Sequence, residues 1–281
     1  MQATFAALLS CVMLLQPRTT LGTWRAVSLS GLPSPSEPMA AATALVESDC
    51  VLILPDAASE IECGKLITAG LAAAAIDRQV RAAGGLDSSG LSRIPTIPAK
   101  RRAALVGTPC AAPIVPEADA LCEALLLRVM ERLDAELPMI RHALFGDASA
   151  CLRELYRDDA LEFSSREPGV NIYREGSEFL PHKDHQALTV LLPLSSPEAF
   201  KGGGTGFWHQ DARGHRVEQP SVVLRPPAGS ALVFGGHVTH AGMPVEAGVR
   251  VAYVASFSAR GGRRLRESAS LQSFDVYGDV I

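Results

Sequence analysis

Three residues in the C-terminal half of this 281-residue chain have the types and the spacing of a metal site. His182 and Asp184 are separated by one residue, so on a β-strand their side chains would lie on the same face. His240 follows the apolar run 231–234 and supplies a second imidazole. Two histidines and one carboxylate suit iron(II), because together they cover one face of the metal and leave positions open for further ligands.

A basic residue ten positions beyond His240 indicates what could fill those open positions. Arg250 begins the apolar run 251–257, and a guanidinium in such a strand needs an anionic partner. Its planar fork can bind a carboxylate through two parallel hydrogen bonds. The sequence therefore predicts one cavity with a metal at one end and a carboxylate-binding arginine at the other, with space for a small diacid between them.

The other histidines in this region have weaker claims to a metal. His237 is an alternative third ligand, but the ten-residue spacing to Arg250 favours His240. His185 would face away from a metal that His182 faces. The remaining two, His209 and His215, flank a polar loop and are expected to be solvated.

Together these motifs resemble the iron(II)/2-oxoglutarate-dependent dioxygenases, and the residues around them are most similar to the prolyl 4-hydroxylase-like branch. The resemblance covers about residues 168–260. Besides the H-x-D pair, three segments carry it: Asn-Ile-Tyr-Arg-Glu-Gly at 171–176, Pro-Ala-Gly-Ser-Ala-Leu-Val-Phe at 227–234, and His-Ala-Gly-Met-Pro-Val at 240–245 followed by Gly-Val-Arg at 248–250.

The resemblance implies a set of ligands and a reaction. Iron(II) would be bound by His182, Asp184 and His240, and 2-oxoglutarate by Arg250 and Tyr173, with Thr189 also in contact with it. No catalytic residue beyond the metal ligands is expected. The implied reaction consumes O2, hydroxylates an aliphatic C–H group and releases succinate and CO2. Ascorbate would keep the iron reduced, and peptidyl proline is the substrate that this branch suggests.

The chain departs from the pattern of the branch in three places. Gly204 stands where the family's Gly-Gly-Glu-Thr-x-Phe loop carries an acid, Arg250 stands where collagen-type prolyl hydroxylases carry lysine, and the segment 195–201 is an insertion. Because loops select the substrate, free amino acids and small metabolites stay open as substrates besides a protein.

Two functions of other kinds are also open. A nucleic-acid demethylase with the same iron centre would need a basic groove, whereas the chain has a net charge of −4 and a pI near 6.0. Nucleic acid is therefore not the expected partner. A non-catalytic cupin-like metal-binding protein would not need a carboxylate clamp, so the spacing of Arg250 argues against it.

The predicted fold is mainly β with N-terminal helices, and its core is a double-stranded β-helix, that is, a cupin-like jelly roll. Many short apolar runs separated by glycine and proline favour this fold over a parallel sheet. The predicted strands are 169–174, 178–184, 188–194, 205–209, 221–225, 230–235, 240–245 and 250–258. One helix is predicted from Ser59 towards Gly84 and another from Pro116 to Pro138, with a loop over 86–113.

The chain is predicted to comprise a leader or disordered arm at 1–38 and a single catalytic domain at 39–281. The apolar run 4–15 is too short to span a bilayer, and no other segment is predicted to do so. It could be a secretory signal, although no basic residue precedes it; an organelle transit peptide and a true start at Met39 are the alternatives. The secretory pathway, an organelle and the cytoplasm all stay open as compartments, and the oligomeric state is not predicted.

Overall fold

The structure is a computed structural model that describes residues 24–83, 90–96, 116–145, 150–164, 167–209 and 218–260. In these ranges the α-helices are α1 Pro38–Val46, α2 Glu60–Ala83, α3 Pro116–Glu136, α4 Met139–Phe145 and α5 Leu152–Arg157. The strands are β1 Arg25–Ser28, β2 Cys50–Leu54, β3 Leu91–Pro95, β4 Leu161–Phe163, β5 Gly169–Tyr173, β6 Phe179–His182, β7 Leu188–Pro193, β8 Phe200–Gly202, β9 Thr205–Trp208, β10 Val222–Leu224, β11 Ala231–Gly235, β12 Thr239–Gly242, β13 Val245–Gly248 and β14 Arg250–Ala259. A 3-10 turn covers Pro197–Ala199.

The strands form two main antiparallel sheets. The major sheet has the order β1-β2-β11-β7-β14-β5-β3, and β4 pairs with the far end of β14. The minor sheet has the order β10-β9-β12-β6, and β8 pairs with β13 separately. One apolar cluster joins the sheets, because Phe207 of the minor sheet packs with Ile53, Leu232 and Phe234 of the major sheet. The predicted mainly β, jelly-roll architecture is confirmed.

The helices cover the other face of the major sheet. Along β14, Val251, Tyr253, Ala255 and Phe257 alternate onto this face and share one buried cluster with the helices. The predicted α2 and α3 are confirmed. The alternate residues of β14, beginning with Arg250, lie on the opposite face, towards the space between the sheets.

A capping box fixes the start of α2 where the sequence predicts it. The backbone N–H of Ser59 donates to Glu62 Oε2 over 2.8 Å, and Ser59 Oγ accepts from the N–H of Glu62 over 3.3 Å. Arg128 of α3 pairs with the same carboxylate at 2.9 Å. That hydrogen bond, more than the others, lowers the pKa of Glu62 to about 2. The first turn of α2 is thus joined to the middle of α3.

The expectation of a disordered arm needs correction at its end. Residues 1–23 lie outside the described residues, but Arg25–Ser28 is a strand whose four residues pair with Cys50–Ile53. The helix α1 then begins at Pro38. Ordered structure therefore begins before residue 39, because the short β1 is stabilised by the ladder of β2 rather than by a pattern of its own.

Three other predicted boundaries differ from the structure. The loop predicted over 86–113 contains β3, which pairs with β5. The strand predicted at 240–245 is two strands, since β12 ends at Gly242 and β13 begins at Val245. The strand predicted at 178–184 ends at His182. Among the described residues, no helix is both long and apolar enough to cross a membrane.

Candidate metal centre

Two neighbouring strands of the minor sheet bring the two histidines together. His182 is the last residue of β6 and lies directly opposite His240 of β12, with the ring centroids 4.4 Å apart. Asp184 follows β6 in irregular backbone, so strand alternation does not place it. The next residue, His185, has a φ of 56° and its N–H donates to Gly236 O, which turns the chain back towards β7.

The three side chains form a compact group of donor atoms. One ligand atom from each of His182, Asp184 and His240 lies within 4.8 Å of the others. Nε2 of His182 is 3.3 Å from Asp184 Oδ1, and Nε2 of His240 is 3.5 Å from Asp184 Oδ2. This is the scale of a single metal ion with its ligands around it. The structure thus brings together the three residues that the sequence proposed as iron ligands.

Backbone carbonyls set the tautomer of both histidines. Nδ1 of His182 lies 2.8 Å from Leu180 O, and Nδ1 of His240 lies 3.2 Å from Val238 O. A carbonyl oxygen can only accept, so each Nδ1 carries the proton and each Nε2 has a free lone pair. An N–H donated to the protein while the other nitrogen faces the metal is the usual arrangement of a ligating histidine.

The charges of the group also suit a divalent cation. Burial alone would raise the pKa of the Asp184 carboxyl, but His240, His182 and the Thr189 hydroxyl together hold it well below its ordinary range. Burial lowers the pKa of His240, against the opposing effect of Asp184. At neutral pH the group therefore presents a carboxylate and a neutral buried imidazole, which are the protonation states that metal binding requires.

The group is open to solvent on one side. The side chain of His182 is 34% exposed, whereas those of Asp184 and His240 are 8% and 6% exposed. Phe234 and Phe207 lie against the His240 ring at 4.7 and 6.3 Å. A molecule that approaches the metal from solvent therefore does so past His182.

Thr189 lies at the metal end of the site. Its Oγ1 donates to Asp184 Oδ2 over 2.6 Å and lies 3.1 Å from Ser256 Oγ. The resemblance placed Thr189 in contact with 2-oxoglutarate; that contact stays a prediction, and what the structure shows is an interaction with the carboxylate ligand. Ser256, which registers opposite Thr189 on β14, was not identified from the sequence.

Arg250 is buried, with 3% exposure, and has no counter-ion among the described residues. Its Cζ lies 4.7 Å from the centroid of the Tyr173 ring, and its Nη2 donates to Thr205 Oγ1 over 2.9 Å. Nη1 is buried without a hydrogen-bond partner, and no carboxylate in the described ranges pairs with it. Buried guanidinium groups require anionic partners, so this orphaned atom fits the carboxylate of a ligand.

The distance between the metal donor group and Arg250 follows from the register of the minor sheet. Thr205, which accepts from Arg250, precedes Phe207 by two residues on β9, and Phe207 lies opposite His240. Two residues along a strand correspond to about 7 Å. A small diacid could therefore reach from the metal group to Arg250. Thr205 was not identified from the sequence, although it lies in the glycine-rich loop that belongs to the resemblance.

The backbone conformation explains why position 204 is glycine. Its φ is +99°, and a Cβ there would lie 2.8 Å from Arg225 Cγ and 3.1 Å from Leu224 O. Only glycine adopts this conformation without strain. The loop therefore follows a path here that leaves no space for the acid found in the family pattern.

The other histidines do not join the group. His237 is absent from it, and its ring centroid lies 6.3 Å from that of His185. Nδ1 of His209 lies 3.3 Å from Asp49 Oδ1, so it has a partner of its own. His215 lies outside the described residues.

Comparison with known proteins gives the same chemistry. The sequence profile of the 2OG-Fe(II) oxygenase superfamily matches residues 168–257. No curated protein matches the chain in sequence. The match covers β5 to β14, the segment that contains the three donor residues, Tyr173 and Arg250.

Several solved structures are similar to the chain at low identity. A viral collagen prolyl hydroxylase from Paramecium Bursaria Chlorella virus-1, in complex with 2OG, is 15% identical over 75% of this chain and 96% of its own, with a TM-score of 0.42. A prolyl hydroxylase from Trichoplax adhaerens, in complex with a hypoxia inducible factor peptide fragment, is 10% identical over 79% and 90%, with a TM-score of 0.41. An oxidoreductase of the 2OG-Fe(II) oxygenase family from Burkholderia pseudomallei is 19% identical over 52% and 57%, with a TM-score of 0.33.

The residues present fit the groups that this superfamily uses, namely Fe2+, 2-oxoglutarate and O2. The two imidazoles and the carboxylate are suitable iron donors, and the orphaned Nη1 of Arg250 suits a carboxylate. The sequence profile and the donor residues both lie in the segment 168–257. The β-rich core of the chain, residues 168–257, therefore belongs to the 2OG-Fe(II) oxygenase superfamily.

Proposed function

We propose that the chain hydroxylates an aliphatic C–H group, with iron bound by His182, Asp184 and His240 and the far carboxylate of 2-oxoglutarate bound by Arg250. The observation that carries this proposal is the presence, in one site, of the donor group and a buried guanidinium that has no counter-ion in the part of the chain that the structure describes. A protein that only bound a metal would have no anionic ligand to pair with this buried charge. Asp184 favours hydroxylation over halogenation, because its carboxylate occupies the position that a halide would need.

The side chains of the site bind, orient and exclude water. Arg250 fixes one end of the cosubstrate, and the Tyr173 ring covers the guanidinium and shields it from solvent. Thr189 orients the Asp184 carboxylate, and the two backbone carbonyls orient the histidine rings. When bound, the metal and 2-oxoglutarate supply the activation of O2, coupled to the release of succinate and CO2.

The substrate class and the reductant belong to the same proposal. The segments 171–176, 227–234 and 240–250 are most similar to prolyl 4-hydroxylases, so peptidyl proline is the first substrate to test. Ascorbate is proposed as the reductant of the iron on the same ground. The secretory pathway is the first compartment to test, because of the apolar run 4–15.

The first experiment is succinate formation from 2-oxoglutarate by the purified protein with iron(II), ascorbate and air. Many such enzymes convert 2-oxoglutarate slowly in the absence of their prime substrate, so the test does not require that substrate to be known. We expect succinate from the wild type and from the matched control Asp158→Ala, an exposed aspartate at the C-terminal end of α5, and none from Asp184→Ala. Equal succinate from all three proteins would contradict the proposal.

Uncoupled turnover can be too slow to detect, so a binding measurement completes the test. The protein is loaded with Mn(II) under nitrogen and titrated with 2-oxoglutarate by calorimetry. Binding that needs both the metal and Arg250 supports the proposal. A metal-loaded wild type that does not bind 2-oxoglutarate would favour the non-catalytic metal-binding alternative.

A further inference from the structure

Arg93 lies where the open edges of the two sheets approach each other. β3, which carries Arg93, is the outermost strand of the major sheet on its side, and β6 is the outermost strand of the minor sheet. Cζ of Arg93 lies 5.1 Å from the ring centroid of Phe179, and that ring lies 4.4 Å from the ring of His182. Arg93 is thus one aromatic ring away from the candidate metal ligand that solvent can reach.

A buried carboxylate holds Arg93 in this position. Nη2 of Arg93 donates to Glu167 Oε1 over 3.1 Å, and the other oxygen, Oε2, accepts from the backbone N–H of Ser256 over 2.7 Å. The Glu167 side chain is only 6% exposed, and that of Arg93 is 26% exposed. Glu167 therefore fixes Arg93 to the strand β14, whose Ser256 side chain also approaches Thr189.

The ion pair of Arg93 and Glu167 leaves one hydrogen-bond donor of Arg93 unused, and the neighbouring Asn171 has one unused acceptor. Nε of Arg93 is buried and has no hydrogen-bond partner. Asn171 lies directly opposite Arg93 in the ladder of β3 and β5, is 8% exposed, and has a buried Oδ1 that also has no partner. Buried polar atoms are rarely left unpaired in folded proteins. A ligand with one acceptor and one donor would satisfy both.

The chemistry of the two atoms restricts what that ligand can be. A carboxylate, such as either end of 2-oxoglutarate, offers acceptors only and leaves Asn171 Oδ1 unpaired. Glu167 already accepts from the guanidinium of Arg93 through Nη2, so Nε–H needs only one further acceptor and not an anion. A secondary amide has a C=O that accepts and an N–H that donates, and it is neutral.

We propose that Arg93 and Asn171 form the subsite for the backbone of a peptide substrate. In an extended peptide the N–H and the C=O of one residue point to the same side, so the N–H of that residue donates to Asn171 Oδ1 and its C=O accepts from Arg93 Nε–H. For a peptidyl proline this is the residue on the C-terminal side, since the nitrogen of proline carries no hydrogen. The inference rests on the proposed function and deepens it, because it selects a peptide over free amino acids and small metabolites.

The test uses the full chain loaded with Mn(II) and 2-oxoglutarate under nitrogen and a library of labelled proline-containing peptides. A peptide that binds is then compared, by fluorescence anisotropy, with its ester analogue, in which oxygen replaces the N–H after proline. We expect the wild type to bind the amide at least about tenfold more tightly than the ester. Asn171→Ala should bind the two equally, because the acceptor for the N–H is gone.

A second variant and a control separate this role from a structural one. Arg93→Lys keeps a cation for Glu167 and Phe179 but removes Nε–H, and it should weaken binding of the amide peptide about tenfold at an unchanged melting temperature. Arg174→Lys is the matched control on the strand-end loop after β5 and should leave peptide affinity unchanged. An amide-to-ester ratio that is the same in wild type and Asn171→Ala, or a library without any binder, would overturn the proposal. Succinate formation by the wild type without peptide tests the oxygenase function separately.

Discussion

The hydroxyl of Thr189 donates to Asp184 Oδ2 over 2.6 Å, so the major sheet orients a carboxylate that belongs to the other side of the site. Asp184 lies in irregular backbone after β6 and has no strand to position it. The same hydroxyl lies near Ser256 on β14. The donor group is therefore held from both sheets: the histidines by the minor sheet and the carboxylate by the major sheet.

Replacing Thr189 with valine should weaken metal binding without displacing any ligand. Valine has nearly the same shape but cannot donate to Asp184, and loss of such an outer contact typically costs about 10–100-fold in metal affinity. The affinity can be measured by competition with a fluorescent chelator. Thr205→Val, a matched change beside Arg250, should leave metal affinity unchanged. Equal metal affinity in wild type and Thr189→Val would remove this role.

Loss of a donor residue itself should have a larger effect. Alanine at His182, Asp184 or His240 leaves two protein ligands, so we expect each variant to lose more metal affinity than the roughly 100-fold limit for an outer contact. Metal content after gel filtration is the measurement. His237→Ala serves as the control, since His237 is not in the donor group. If His237→Ala lost the metal and His240→Ala retained it, the ligand assignment would be wrong.

Arg250→Lys should raise the concentration of 2-oxoglutarate needed for half-maximal binding. Lysine keeps the charge but lacks the planar fork, so at least one charge-assisted hydrogen bond is lost. Such a bond contributes roughly 1.5–3 kcal/mol, which corresponds to about 10–160-fold in affinity. Calorimetry on the Mn(II)-loaded protein measures it. The exposed Arg260→Lys is the control. An unchanged requirement in Arg250→Lys would show that the carboxylate is not bound through the planar fork of Arg250.

Restoring the acid of the family pattern at Gly204 should destabilise this chain. A side chain at its φ of +99° costs about 1–2 kcal/mol, and the added Cβ would also crowd Arg225 and the carbonyl of Leu224. We expect Gly204→Glu to lower the melting temperature by at least about 2–4 °C. Gly64→Glu is the comparison, because a Cβ there meets nothing within 4 Å. Equal melting temperatures for the two variants would show that the loop adapts.

The free energy of unfolding of the metal-free chain should depend on pH through the titration of Glu167. Burial, with the charge of Asp184, raises the pKa of Glu167 from its ordinary 4.5 to about 7. The folded chain therefore keeps a proton that the unfolded chain releases, so the stabilisation from this group is complete below pH 4.5 and is lost as the pH rises through 7. Urea unfolding of wild type and Glu167→Gln at several pH values should show the wild type losing stability relative to the variant across this window. Parallel profiles would contradict the raised pKa.

Sequence patterns predicted the elements that bury one whole face, and missed those that depend on a neighbour. β7, β11 and β14 are long apolar runs, and α2 has a capping box, so each was evident locally. β1, β3, β4 and β8 have three to five residues each and contain Arg, Lys, Pro or Glu. Such strands exist because a partner ladder accepts them, which no local pattern encodes.

The candidate site divides in the same way. The donor residues and Arg250 could be proposed from residue type and spacing alone. Thr205, Ser256, Arg93 and Asn171 could not, because each acts through a partner distant in sequence: Arg93 and Glu167 are 74 residues apart. Common polar residues carry no signal until the fold pairs them.

The short strand β1 matters for anyone who shortens this protein. It pairs with the outer side of β2, whose five residues, Cys50 to Leu54, are all buried and apolar. A recombinant chain that began at Met39 would lack it and would present β2 as an open edge with unpaired N–H and C=O groups. Exposed apolar edges of this kind pair with one another between molecules. Such a truncated protein would then aggregate, and its failure in an assay would report colloidal behaviour, not the absence of an active oxygenase.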